Sequence, residues 1–178
     1  MPLSPAVFLD RDGTLIEDVR YCKDPALVRV LPGVVVALRQ LREAGFLTVI
    51  ITNQSAIGRG WMTVADYEAV HARTMELIGP GLLDAAYFCS DAPEVASTHR
   101  KPATGMVLDA ERDLGIDLAR SWFVGDKRAD VQCGHAAGTR SIFVLCGQGT
   151  REDGAAADFI ARDLAEAAEF ILKQPDAG

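Results

Sequence analysis

The chain has nothing built to cross a membrane and nothing built for an oxidising compartment. No uncharged run in its 178 residues approaches the roughly 18 residues that a spanning helix needs. The opening Met1-Pro2-Leu3-Ser4-Pro5 carries no basic flank, and the apolar run after it is cut short at Asp10 and Arg11, so no secretory leader is expected. Its four cysteines, Cys22, Cys89, Cys133 and Cys146, are widely spaced and form no C-x-x-C pair. That argues against a disulfide frame and for reduced thiols in a cytoplasm. Basic residues are in deficit: 18 Lys and Arg against 25 Asp and Glu leave a formal net charge of −7. A nucleic-acid or membrane-surface partner is therefore not expected, because both require a basic face. A small anionic substrate remains compatible if the few cations converge. Repeats and low-complexity tracts are also lacking. With 49% hydrophobic and 24% charged residues, the composition excludes disordered and collagen-like chains. The length predicts a single domain over 1–178, able to build a core without disulfide or metal.

What is present is an alternation of short apolar runs and amphipathic stretches. Strands are expected at Ala6–Asp10, Phe46–Thr52, Ala85–Cys89, Ser121–Asp126 and Ser141–Cys146, with a short one at Asp158–Ile160. Runs such as Val7-Phe8-Leu9 and Val49-Ile50-Ile51 are continuously apolar, as in parallel strands covered on both faces. Helices are expected at Gly33–Ala44, Thr63–Ile78, Thr104–Leu114, Ala129–Ala137 and Asp163–Lys173. Thr63-Val64-Ala65-Asp66 reads as a capping box with Asp in place of Glu, and Gly45, Gly115 and Gly138 as stops. Repeated βα units predict an α/β fold with a doubly wound, mostly parallel sheet. The 49 residues from Thr52 to Lys101 hold a helix, a strand and a loop, and are too few for a separate cap domain.

In such sheets the site lies beyond the carboxyl ends of the strands. There the sequence puts Asp10-Arg11-Asp12-Gly13-Thr14, Thr52-Asn53-Gln54-Ser55 and Gly125-Asp126-Lys127, with Arg100-Lys101-Pro102 in the loop before the third crossover helix. Asp10 and Asp12, spaced i and i+2, share one side of an extended chain. An aspartate ionised at neutral pH can attack phosphorus without a base to activate it. Like charges about 4 Å apart cost roughly 4 kcal/mol at an effective dielectric near 20, so a cation must join Asp10, Asp12, Asp126 and a phosphate dianion. Oxygen ligands with few protein carboxylates suit Mg²⁺. Lys101 would neutralise transferred oxygens, Thr52 would hold them, and Asp12 would exchange the proton. Asp130 is readable either as a helix cap or as part of the metal site. Lys127 is a site residue that could also pair with Asp10 or Asp126, and Arg59 either meets a distal phosphate or sits on a solvated loop. His71 and His135 read as structural, and Ser55 has no triad context.

These motifs resemble those of the haloacid dehalogenase superfamily of phosphatases. Phe8-Leu9-Asp10-Arg11-Asp12-Gly13-Thr14 is similar to its first motif, Thr52 to its second, Lys101 to its third, and Gly125-Asp126-Lys127 with Asp130 to its fourth. The ordered set spans Ala6 to Ile171. Within the superfamily the likeness is to the histidinol-phosphate and heptose-bisphosphate phosphatases. Thr52-Asn53-Gln54-Ser55-Ala56-Ile57-Gly58-Arg59-Gly60 resembles the heptose branch, where T-N-Q-S-G-I-x-R-G is typical. The resemblance implies removal of the 7-phosphate of D-glycero-D-manno-heptose 1,7-bisphosphate through an aspartyl phosphate, in a capless monomer that feeds nucleotide-activated heptose synthesis. It implies Asp10 as nucleophile and Asp12 as acid/base. It also implies Mg²⁺ on the Asp10 and Asp126 side chains and the Asp12 main-chain oxygen, and Asn53, Arg100 and Lys101 on substrate.

The chain departs from that pattern where many relatives carry zinc. Here the stretch reads Cys89-Ser90-Asp91 and Ser97-Thr98-His99, so at most Cys89, Asp91 and His99 remain as ligands. A closed zinc site wants four, mostly Cys and His, and zinc is expected to be absent. Two other readings stand beside the leading one: a histidinol-phosphate phosphatase, and a phospho-accepting receiver-like module. The latter would need an acceptor aspartate after the third strand, where Phe88-Cys89 stands.

Overall fold

In a computed structural model, residues 3–174 are described; Met1, Pro2 and residues 175–178 lie outside them. Six strands, β1 (Ala6–Leu9), β2 (Leu47–Asn53), β3 (Ala85–Cys89), β4 (Trp122–Gly125), β5 (Arg140–Val144) and β6 (Phe159–Ala161), form one sheet in the order β3-β2-β1-β4-β5-β6. Every pairing is parallel, with Val7 opposite both Thr48 and Trp122. The described residues form six α-helices, α1 (Val34–Glu43), α2 (Ser55–Gly58), α3 (Val64–Ile78), α4 (Gly105–Leu114), α5 (Arg128–Ala137) and α6 (Leu164–Leu172), and two short 3-10 turns, Pro25–Leu27 and Leu118–Arg120.

The apolar strands are explained by their two covered faces. Successive side chains of a strand point to opposite sides. Val7 and Leu9 of β1 join the layer built with Leu38, Leu41, Ala168 and Ile171 of α1 and α6. Ala6 and Phe8 join Met106, Val107 and Cys133 of α4 and α5. All four β1 residues are fully buried. Sealing a side chain such as Phe8 contributes about 1.5–3 kcal/mol.

The helix ends follow their sequence signals. Thr63 Oγ1 accepts from the Asp66 N–H at 3.1 Å and the Asp66 carboxylate accepts from the Thr63 N–H at 2.7 Å, so the box closes with Asp. Asp163 caps α6 by accepting from the Glu166 N–H at 2.9 Å. Most boundaries shift by a residue from expectation. β1 ends at Leu9 rather than Asp10, and β5 ends at Val144 because the chain turns there around Asp126. The single-turn helix α2 was not expected, since four residues carry too little periodicity to be read.

The order fixes where the site must be. β2 and β4 flank β1 and lead off to opposite ends of the sheet, so the chain reverses direction of winding at the carboxyl end of β1. Asp10 is the first residue beyond that end.

Candidate active site

Asp10 leaves β1 with its N–H donated to the Val124 carbonyl at 3.0 Å, so its side chain rises from the switch point. It is buried, with Lys101 Nζ 2.9 Å from Oδ1 and Lys127 Nζ 3.8 Å from Oδ2. Asp126 follows β4 and is fully buried; Oδ2 accepts from the Gln148 N–H at 2.9 Å, while Oδ1 has no hydrogen-bond partner. Asp130 lies in the first turn of α5. Its Oδ2 accepts from the Lys127 N–H at 3.0 Å and its Oδ1 is 2.7 Å from Lys101 Nζ. Lys101 Nζ also donates to the Ile51 carbonyl at 2.7 Å. Asp10, Asp126 and Asp130 each offer an oxygen within 4.8 Å of the others, the one such cluster of metal-ligating groups among the described residues.

Two glycines make this crowding possible. At Gly13, φ is +90°, and a Cβ there would run into the Asp126 carboxylate. A Cβ on Gly147 would collide with the same carboxylate from the other side.

Burial and charge divide the three acids. Burial would raise Asp10, but Lys101 and then Lys127 outweigh it and hold the carboxyl below its ordinary value. Burial first, and the Asp10 charge second, push Asp126 up to about 7. Asp130 is also raised, by burial first, with Lys101 opposing. Burial would lower Lys101, yet Asp10 and Asp130 keep it above the usual lysine range. Asp10 is thus an ionised buried carboxylate. The Asp126 Oδ1 beside it has no hydrogen-bond partner, with only Lys127 Nζ nearby at 3.8 Å, and so has room for a cation. An all-oxygen donor set of this kind fits Mg²⁺.

The side chain of Asp12 does not join that cluster, where the sequence alone had grouped it. Its carboxylate accepts from Arg11 Nε at 3.0 Å and from Gln54 Nε2 at 2.9 Å. Arg11 is itself buried, with its guanidinium 5.2 Å from the Tyr67 ring centroid. Gln54 Nε2 also donates to Thr52 Oγ1 at 3.0 Å, which leaves the Thr52 hydroxyl hydrogen free to point into the pocket. The carboxylate spacing did place Asp10 and Asp12 together; Arg11 and Gln54 lie inside the strand-end motifs, but no role was read for either.

The remaining predicted residues separate. Thr52, Asn53, Arg100, Lys101 and Lys127 line a pocket of about 450 Å³ with Asp10 and Asp12. Both ends of the Asn53 amide are engaged with the Lys101 backbone, at 3.0 and 3.1 Å, so Asn53 clips the Lys101 loop to the end of β2. Arg100 Nη1 donates to the Asp91 carbonyl at 3.1 Å. Arg59 is outside the pocket wall, paired with Glu94 at 3.0 Å and stacked 4.9 Å over Trp61. Arg20, which the sequence reading passed over, is in the wall.

The three candidate zinc ligands do not converge. Cys89 Sγ lies 3.5 Å from Asp91 Oδ2, while the His99 ring contacts Thr98 and Asp109, each at 3.0 Å. Ser97 Oγ accepts from the His99 and Arg100 N–H groups at 3.1 and 3.0 Å and so ties the loop by hydrogen bonds. The other histidines do structural work: His71 stacks on Tyr67 at 5.7 Å, and His135 pairs with Asp158 at 2.9 Å. No helix among the described residues is long and apolar enough to cross a membrane.

Comparisons with known proteins find relatives over almost the whole chain. The HAD-hydrolase-like family profile matches residues 98–167. D-glycero-D-manno-heptose-1,7-bisphosphate 7-phosphatase of Thermosynechococcus vestitus is 40% identical, over 94% of this chain and 95% of that protein. The D-glycero-beta-D-manno-heptose-1,7-bisphosphate 7-phosphatase of Escherichia coli is 38% identical, over 96% and 95%. The crystal structure of D,D-heptose 1,7-bisphosphate phosphatase from B. bronchiseptica, complexed with magnesium and phosphate, superposes with a TM-score of 0.85 at 32% identity, over 95% of this chain and 98% of that one.

Proposed function

Because the chain belongs to the heptose-bisphosphate phosphatase family of haloacid dehalogenase-like hydrolases, we propose that it hydrolyses the 7-phosphate of D-glycero-D-manno-heptose 1,7-bisphosphate in nucleotide-activated heptose synthesis. The observation that carries this reading is the buried, ionised Asp10 beside an Asp126 oxygen that has no hydrogen-bond partner, at the switch point of a sheet shared with those relatives. A receiver-like module has no acceptor here, since β3 ends at Cys89.

The Asp10 carboxylate attacks phosphorus and forms an aspartyl phosphate as the P–O bond to carbon 7 breaks. Asp12, oriented by Gln54 and Arg11, gives its proton to the leaving sugar oxygen. It then takes a proton from the water that attacks the aspartyl phosphate, which releases phosphate and regenerates Asp10. Lys101 holds Asp10 and supplies positive charge to the transferred oxygens, while the Thr52 hydroxyl donates to one of them. Lys127 faces Asp10 from the opposite side and serves the same phosphoryl group. The Asp10 and Asp126 side chains and the Asp12 main-chain oxygen would hold Mg²⁺, with Asp130 anchoring Lys101 beside them. Bound Mg²⁺ would neutralise the attacking and transferred oxygens. Arg100, held by Asp91, contacts the substrate; Asn53 acts on it through the Lys101 loop. We further propose a monomeric cytoplasmic enzyme of one domain over 1–178, with the loop before Arg100 held by Ser97 rather than by zinc.

Steady-state phosphate release with Mg²⁺ tests the substrate. The α and β anomers of the heptose bisphosphate and histidinol phosphate are compared. A hundredfold preference in kcat/KM for one heptose anomer, about 2.7 kcal/mol, supports the reading. A preference for histidinol phosphate overturns it.

A further inference from the structure

The segment after β1 holds a turn with two consecutive non-glycine residues in the left-handed region, Arg20 at φ 47° and Tyr21 at φ 53°. L-residues avoid that region, and runs of it persist only where the surroundings over-determine them, commonly at sites of function. Both residues line the pocket.

Two sets of contacts fix the turn. At its root, Asp18 Oδ1 accepts from the Arg20 N–H at 2.9 Å, and Asp18 Oδ2 is 3.5 Å from Lys127 Nζ, the same ammonium that faces Asp10. At its tip, the Tyr21 ring meets the Trp61 ring edge-on, with centroids 5.0 Å apart and an interplanar angle of 72°. Each of the two residues is 51% exposed, so neither is held there by a core. Trp61 is backed by the Arg59 guanidinium, which Glu94 pairs in turn. Tyr21, Trp61, Arg59 and Glu94 thus tie together three loops.

Four cations line the pocket, and three are engaged: Lys101 with Asp10 and Asp130, Lys127 with Asp10 and Asp18, and Arg100 with the Asp91 carbonyl. Arg20 has no side-chain partner among the described residues. An exposed, unpaired guanidinium on a turn held by these contacts suits a phosphate, which it can grip with two parallel hydrogen bonds.

We propose that Arg20 binds the second phosphate of the bisphosphate substrate, the one that is not cleaved, and that Trp61 is a positioning residue that acts on Arg20 through Tyr21. This rests on the sugar-bisphosphate reading of the site. It also accounts for Arg59, whose charge supports the Trp61 ring instead of reaching the pocket.

The test is the ratio of kcat/KM for heptose 1,7-bisphosphate to that for heptose 7-phosphate, measured on one preparation of each variant so that any loss of folded protein cancels. Arg20→Ala and Trp61→Ala are each expected to lower the ratio at least tenfold, mainly through KM for the bisphosphate. Arg20→Lys and Trp61→Phe are expected to recover most of it. A wild type that prefers the bisphosphate while Arg20→Ala keeps the ratio overturns the assignment of Arg20. A fall in Arg20→Ala without one in Trp61→Ala overturns the positioning role. A wild type that turns over neither sugar phosphate overturns the substrate reading itself.

Discussion

Replacing Lys101 with methionine removes the charge that holds the buried acids together. At an effective dielectric near 20, an ammonium 2.9 Å from Asp10 and 2.7 Å from Asp130 gains roughly 6 kcal/mol from each. Desolvating the three groups cancels most of that gain. Removing one partner from a buried ion pair costs about 3–5 kcal/mol, because the remaining charge is left uncompensated. The metal-free Lys101→Met protein should lose stability of that order in urea unfolding at pH 7. The pH dependence has a definite sign. Lys101 holds the Asp10 carboxyl below its ordinary value, so that contribution is present above the unfolded carboxylate value near pH 4 and is lost as pH falls through the lower folded value. Lys101 is held above its ordinary value, so its contribution is full below about pH 10.4 and is lost as pH rises through the folded value. The stability gap between wild type and variant should therefore narrow in acid. Phosphate release should fall about a hundred- to a thousandfold, as when one preorganised donor is lost. A variant as stable as wild type at pH 7, or a gap that widens in acid, would refute the reasoning.

Asp126→Asn should act in the opposite direction on the metal-free fold. Burial and the Asp10 charge push Asp126 up to about 7, so ionising it destabilises the protein above that pH and not below the unfolded value near 4. Thermal unfolding at pH 8 should show the asparagine variant more stable than wild type, with the difference gone near pH 4 and no rise in Tm on adding Mg²⁺. Gln54→Leu releases the Asp12 carboxylate on one side while Arg11 still holds the other, and should lower kcat about ten- to a hundredfold with a smaller change in KM, a part of the roughly 10²–10⁴-fold that positioned proton transfer contributes. Ser97→Ala deprives the His99 and Arg100 N–H groups of their acceptor; at about 0.5–1.5 kcal/mol for the net worth of a hydrogen bond open to water, hydrogen exchange at those two amides should accelerate about two- to tenfold.

The fold was legible where burial writes itself into composition. Val7-Phe8-Leu9 is apolar without a break because α1 and α6 cover one side of β1 while α4 and α5 cover the other. The caps at Thr63 and Asp163 were legible because the bonding partners lie within one helical turn. In the site, Asp10, Lys101 and Asp126 were readable because each stands at the end of a strand or in a motif of its own. Gln54 was not, because its partner Asp12 is 42 residues away and glutamine carries no charge to mark it. Asp130 was readable as a cap, which it is, and its second oxygen's approach to Lys101 emerges only when the loop before α4 folds over the sheet. The Arg20–Tyr21 turn was invisible because neither residue type advertises a positive φ. Arg59 stayed open between two readings for a related reason: its charge is plain in the sequence, but Glu94 and the Trp61 ring, which engage it outside the pocket wall, are distant or unmarked.

The most direct test of the central claim is the position of bond cleavage. Heptose 1,7-bisphosphate is incubated with the enzyme and Mg²⁺ and followed by phosphorus NMR. Loss of the carbon-7 phosphate resonance, growth of inorganic phosphate, and a persistent carbon-1 resonance are the predicted result. Loss of the carbon-1 phosphate first, or an unchanged spectrum, would contradict the account.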